Sequence, residues 1–223
     1  MNVHVSLLVL VFALHLSIGR AQQTADPFAN LPFAKADQSL FYSRLLTEQE
    51  QQELETSPPN WSLITVATQD NRRFETNGSL HLASGAVYLQ SGQKIRCLIP
   101  EKVSCFQYKG FLFHQLQTHY NDQPQLRCAQ QLVEGPMELY VLYQIADANA
   151  SLSFEQQLQS ASKYYLIKQH NTDQARYLPL QRSSVLKALH PHKSEVKKYL
   201  KEEGLSLNKE DDLVKLFRYY NRL

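Results

Sequence analysis

Between residues 61 and 116 apolar positions alternate with polar ones in short runs, cut by Asn77-Gly78, Ser84-Gly85, Ser91-Gly92, Pro100-Glu101 and Lys109-Gly110. Alternation with a period of two gives a strand one apolar face, and turn residues at this spacing join such strands into antiparallel hairpins, so the stretch reads as a meander. The turns also set registers. A loop at 77–79 places Phe74 opposite Leu82, a Ser84-Gly85 turn places Leu80 opposite Leu89, a loop at 91–93 places Val87 opposite Cys97, and a loop at 100–102 places Cys97 opposite Cys105. Each register keeps the same face, which collects Phe74, Leu80, Leu82, Val87, Leu89, Ile95, Cys97, Ile99, Val103 and Cys105. The Lys109-Gly110 turn sets Phe106 opposite Phe113 and Tyr108 opposite Phe111 on the other face, with Tyr88 and Leu98. Two apolar faces call for a small barrel or a curled, covered sheet.

Around this body the pattern changes period. Before it, Thr47 and Glu50 stand at capping-box spacing ahead of a Glu/Gln-rich run, which predicts a short surface helix ended by Pro58-Pro59. Upstream, Phe28, Leu31 and Phe33 can pin an extended proline-bearing lead-in onto the body. After it, residues 117–125 read as a polar loop. Leu132, Met137, Leu139, Val141 and Tyr143 mark one or two strands, and Leu152 with Phe154 a further strand after a turn at 147–150. Tyr164-Tyr165-Leu166-Ile167 and Arg176-Tyr177-Leu178 flank Asn171-Thr172-Asp173 as a hairpin. Three short helices then follow: Ser183 to His190 with Val185, Leu186 and Leu189 inward; His192 to Glu203, stopped by Gly204, with Val196, Tyr199 and Leu200 inward; and one capped by Asn208 with Leu213, Leu216, Phe217 and Tyr220 on one stripe. The expected class is α+β: an antiparallel β meander, a small barrel or curled sheet, followed by a hairpin and three C-terminal helices.

The first residues carry the strongest functional signal. An apolar run from Val5 to Leu16 leads to small residues at Gly19 and Ala21, the pattern of a signal peptide cleaved between Ala21 and Gln22. Its n-region, residues 1–4, has no lysine or arginine. The run is shorter than the roughly 20 residues of a membrane span, and no later segment is longer. The predicted organisation is a signal peptide at 1–21, a lead-in with a short helix at 22–60, a β domain at 61–162, and a hairpin with helices at 163–223. Of the 223 residues, 43% are hydrophobic and 20% charged, with a net charge of +2, so a packed core is affordable and no basic stripe suggests nucleic acid as a partner.

Candidate chemistry is sparse. Cys97 and Cys105, opposed across one hairpin, could form a disulfide in an oxidising compartment or remain core thiols, with Cys128 left over. His190 with His192, and His114 with His119, lack a third ligand for a metal and read as surface or capping histidines. No nucleophile elbow marks a hydrolase, and Glu210, Asp211 and Asp212 suit the N-terminus of a helix. Trp61, Tyr88, Tyr108, Phe111 and Phe113 are either a sugar- or peptide-binding surface or core filling.

Residues 164–221 resemble the C-terminal signature of a large group of uncharacterised exported proteins from Gram-negative, Bacteroidetes-type bacteria. The carriers are Lys163-Tyr164-Tyr165-Leu166, Leu178-Pro179-Leu180, Ser184-Val185-Leu186-Lys187-Ala188-Leu189, and Glu210-Asp211-Asp212-Leu213-Val214-Lys215-Leu216 ending in Tyr219-Tyr220-Asn221. Gly85, Val87-Tyr88-Leu89 and the run from Pro100 to Phe106 are similar to the front half of that group. The cysteines depart from its usual pattern. The resemblance implies location and fold and supplies no activity, and it points away from glycosylation at the sequons of Asn60, Asn77 and Asn149. The expectation is a soluble, exported binding or structural module, periplasmic or extracellular, with no catalytic residue, metal or cofactor and an unidentified envelope or extracellular partner. The alternative is an exported hydrolase with a dispersed site.

Overall fold

A computed structural model describes residues 26–33, 39–56, 58–120, 123–146, 152–172 and 174–223. The signal segment, its cleavage point at Ala21 and Gln22, the turn at 147–150 and the Asn149 sequon lie outside them. In chain order the elements are β1 (Ser43–Arg44), α1 (Glu48–Thr56), β2 (Ser62–Thr68), β3 (Arg73–His81), β4 (Ala86–Ser91), β5 (Lys94–Leu98), β6 (Val103–Tyr108), β7 (Phe111–Tyr120), β8 (Gln123–Val133), β9 (Met137–Gln144), α2 (Phe154–Ser160), β10 (Ser162–Gln169), β11 (Arg176–Tyr177), α3 (Arg182–Ala188), α4 (Lys193–Glu202) and α5 (Glu210–Tyr220). The strands form one 11-stranded antiparallel sheet in the order β1-β5-β4-β3-β2-β6-β7-β8-β9-β10-β11, not closed into a barrel. The class is α+β, with five helices among the described residues where the sequence suggested three C-terminal ones and one before the sheet.

The sheet has to curl. Only residues 99–102, partly a 3-10 turn at Pro100–Lys102, join β5 to β6, although β4, β3 and β2 lie between them in the ladder. On a flat sheet four strand spacings would part the two by roughly 19 Å, which the link could not span even at its full stretch of about 17 Å. Curling brings the two ends together around Ile64, Val66, Phe74, Leu80, Val87, Leu98 and Phe106, all buried in one core. Tyr42 fastens the seam: its carbonyl accepts from Ile99 N–H at 2.8 Å, and its hydroxyl reaches Asp70 in the β2–β3 turn at 2.9 Å.

These ladders correct most of the registers read from the turns. Asn77-Gly78 is not a turn: β3 runs straight through it, and Phe74 faces Val66 of β2. The Ser84-Gly85 hairpin slips by two, so Leu80 meets Val87 and the face is kept. At Gly92-Gln93 the loop is one residue shorter than expected, pairing Cys97 with Tyr88 and turning Cys97 and Ile95 away from the core while Leu98 turns in. The link at 100–102 makes no hairpin at all, so Cys105 pairs instead with His114 and Ala67. Lys109-Gly110 behaves as expected, with Phe106 opposite Phe113 and Tyr108 opposite Phe111.

The second half curls the other way. Residues 117–120 and 123–125, expected in a loop, are the distal arms of the long β7–β8 hairpin, and a parallel bridge from Gln117 to Gln174, with Ala175 N–H donating to the Gln117 carbonyl at 2.9 Å, ties the β10–β11 edge back onto β7. Leu116, Ala129, Tyr140, Leu166 and Ala175 fill the inside of this turn. On the outer side of β9 and β10, helices α3, α4 and α5 bury Val185, Leu189, Val196, Leu213, Leu216 and Phe217 against Leu139, Val141 and Ile167. Where Leu152 and Phe154 suggested a strand, α2 begins instead at Phe154: Ser153 and Gln156 form a reciprocal capping box, and Phe154 packs edge-on against Tyr108 at 5.0 Å. For α5, Asn208 does not cap; the Asp212 carboxylate accepts from Ser206 N–H at 3.0 Å.

The chain's end is latched to the sheet. Asn221, at the C-cap of α5, accepts from Met137 N–H at 2.9 Å and donates to the carbonyls of Glu134 and Met137. A Cβ on Gly135 would lie 2.4 Å from the Asn221 amide nitrogen, and Gly135 has φ +142°, so the β8–β9 turn needs a glycine there. Asn221→Ala should therefore cost about 1–3 kcal/mol in urea unfolding, since it orphans the Met137 N–H along with the other two bonds.

Candidate functional site

Where the two curls meet, an open groove of about 1320 Å³ runs from α1, past the turn at residues 82–85, to the β10–β11 edge. It exists because the β3–β4 turn leans onto β8: a Cβ on Gly85 would sit 3.2 Å from that of Cys128. Gln115 of β7, paired with Cys128, lines it beside that turn, and Thr118 of β7, Tyr164 of β10 and Tyr177 of β11 line its far end.

The near end is a set of paired charges. Arg44 on β1 grips Glu50 on α1 with two contacts of 2.7 Å, while the Thr47 and Glu50 capping box found in the sequence fixes the start of that helix. The guanidinium holds the Glu50 carboxyl well down, at about 2. Beneath them Cys97 is buried, and burial followed by the nearby Glu50 raises its thiol to about 12. One turn along α1, Glu53 accepts from Tyr88 at 3.0 Å and from Ser84 at 3.3 Å, and lies 3.4 Å from His81 Nδ1. Ser84 Oγ is itself 2.8 Å from the same His81 nitrogen. Serine, histidine and carboxylate are thus together, but a catalytic relay needs the hydroxyl on one ring nitrogen and the carboxylate on the other. Here both compete for Nδ1, and burial lowers the basicity of His81.

A second polar cluster lies inside the β7–β11 turn. Glu138 of β9, 5% exposed, accepts from Tyr140 at 2.9 Å and Lys168 at 3.1 Å and lies 3.3 Å from His170 Nδ1. His114 packs edge-on against Tyr140 at 5.4 Å, its Nε2 buried without a partner. Burial depresses this imidazole to about 4, although Glu138 pulls the other way. His114 is therefore not the surface histidine the sequence suggested, because β7 continues past it and places it between β6 and β8.

No protein-family model matches the chain, and no curated protein or solved structure matches it.

Cys97 and Cys105 lie on strands that β4, β3 and β2 separate in the ladder, and all three cysteines are free thiols. Cys105 is buried against Ala67 and Phe28 of the lead-in, and burial raises it to about 11. Of the aromatic residues singled out, Tyr88, Tyr108 and Phe113 are core side chains no more than 1% exposed. The exposed aromatic residues among those described include Phe33 and Phe41, each under a cation, and Tyr164 and Tyr177, whose exposure depends on the hairpin forming a sheet edge, which local pattern does not reveal. Glu210 sits in the first turn of α5, as expected, and also takes Lys163 at 3.0 Å and the Tyr165 hydroxyl at 3.1 Å. Among the described residues, no group of three or more His, Cys, Asp or Glu is arranged to hold a metal ion, and no helix is long and apolar enough to cross a membrane.

Proposed function

We propose that the chain is an exported binding module, akin to the exported group its C-terminal segment resembles, and that the groove between the two curls is its ligand site. The carrying observation is the groove itself: it is large enough for an extended ligand, and rigid strands from both halves of the sheet build its walls. The apolar run and the small residues before Gln22 support export to the periplasm or beyond. The hydrolase alternative draws on Ser84, His81 and Glu53, but their shared nitrogen disfavours it.

Two measurements test this reading. N-terminal sequencing of the exported product should start at Gln22, and retention of Met1 would refute export. For the groove, Ser84→Trp places a bulky ring at an exposed turn position on its wall. Extracellular polymers and peptide pools that raise the melting temperature of the native protein should fail to raise that of the variant. Equal stabilisation of both proteins would move the ligand elsewhere.

A further inference from the structure

We infer that the groove takes a neutral oligosaccharide, with Tyr164 and Tyr177 as its stacking platform; this rests on the binding reading above. Tyr164 and Tyr177 are 38% and 56% exposed, a large apolar surface to leave in water. They stand diagonally across the β10–β11 ladder on one face, since Tyr177 pairs with Leu166, and their rings lie 6.1 Å apart at 49°. Two tilted rings on a short, fixed ladder present a shallow apolar shelf at the mouth of the groove at little entropic cost. A pyranose ring suits such a shelf: one face carries C–H groups that pack on an aromatic ring, and its equatorial hydroxyls need donors and acceptors around the edge.

The adjoining wall supplies those groups among charges that nearly cancel. Gln144, on the same face as Tyr164, offers an amide that both donates and accepts, and Thr118 a hydroxyl that can accept while it donates to the Gln125 carbonyl. Of the charged lining residues, Arg44 pairs with Glu50, while Glu53 accepts from Tyr88 but keeps its charge and leaves the lining one net negative charge at the α1 end. Glu101 and Arg127 stand against each other in sign. An acidic ligand would be repelled, the one uncancelled charge at the α1 end gives a basic ligand little hold at the tyrosines, and an apolar one would strand the amide.

Isothermal titration of the mature protein against neutral oligosaccharides (cello-, xylo-, malto- and chito-series), polygalacturonate and an unstructured peptide pool decides the matter. At least one neutral series should bind. Tyr164→Ala and Tyr177→Ala should each weaken it by about tenfold, Tyr177→Phe should leave it nearly unchanged, and far-ultraviolet circular dichroism should show all variants folded. If a neutral sugar binds with the same affinity to both alanine variants, the platform is refuted. If peptides or polygalacturonate bind and Ser84→Trp blocks them while no neutral sugar binds, the sugar assignment falls and the groove reading stands. If nothing binds, both fall.

Discussion

Gly78→Ala will destabilise the protein by about 3 kcal/mol, the upper end of what an inserted methyl group costs in a packed core. The reason is local and steric. On β3, Gly78 pairs with Ser62, and a Cβ at 78 would lie 2.5 Å from Cγ2 of Ile64 and 3.2 Å from the Tyr88 carbonyl. Ile64 is fully buried, so it has nowhere to retreat. Truncating it should relieve the clash: Ile64→Ala alone costs about 2–5 kcal/mol, and the double variant should be less destabilised than the sum of the two by about 1 kcal/mol or more. Urea unfolding of the four proteins gives the coupling. Were Asn77-Gly78 a turn, no such coupling would exist, and additive losses would contradict the register.

The second large effect is a loss of stability in mild acid, set by His114. Its imidazole sits near 4 in the folded protein because burial penalises the charged form, against an ordinary value of 6.5. The unfolded chain therefore binds a proton between pH 6.5 and 4 that the folded chain does not, and stability falls as pH falls through that window. The full loss amounts to about 3 kcal/mol and is complete below pH 4. Glu138, Lys168, Tyr140 and Gln131 surround the ring; the carboxylate eases protonation and the ammonium opposes it. His81, depressed in the same direction by burial, contributes with the same sign. Glu50, held near 2, acts at the lower edge of this window and below it, its stabilisation being lost as pH falls from 4.5 toward 2. His114→Phe retains the edge-on contact with Tyr140 and removes the titration. Urea midpoints from pH 7 to pH 4 should fall less in the variant than in the parent, and parallel curves would place the acid sensitivity elsewhere.

What was legible in the sequence is what short-range chemistry decides. The Thr47 and Glu50 capping box, the Lys109-Gly110 hairpin, the β10–β11 hairpin and helices α3 to α5 each depend on residues within about a dozen positions, and they form where expected. The strand order was not legible because curl, not any turn, determines it. Pro100–Lys102 resembles a hairpin loop, yet it crosses the end of a curled sheet and delivers β6 beside β2. A single residue fewer at Gly92-Gln93 was enough to turn Cys97 from the core, and with it the expected face-to-face cysteines. Ser153 with Gln156 carried a helix signal equal to that of Thr47 with Glu50, but the alternation of Leu152 and Phe154 outweighed it. The polar clusters were beyond reach for a different reason. Glu138, Lys168 and His114 lie on three strands, and Glu53 meets His81 only because α1 settles over the β3–β4 hairpin.

The same nonlocality governs the ligand site, since the groove exists only where two opposite curls of one sheet meet. Its most direct test is a nitrogen-15 NMR titration of the mature protein with the neutral oligosaccharide that binds best. Amide shifts should concentrate at Gln115, Thr118, Tyr164 and Tyr177 and around residues 82–85, leaving α3, α4 and α5 unmoved. Shifts confined to the helices, or spread over the surface with none along the groove, would contradict the account.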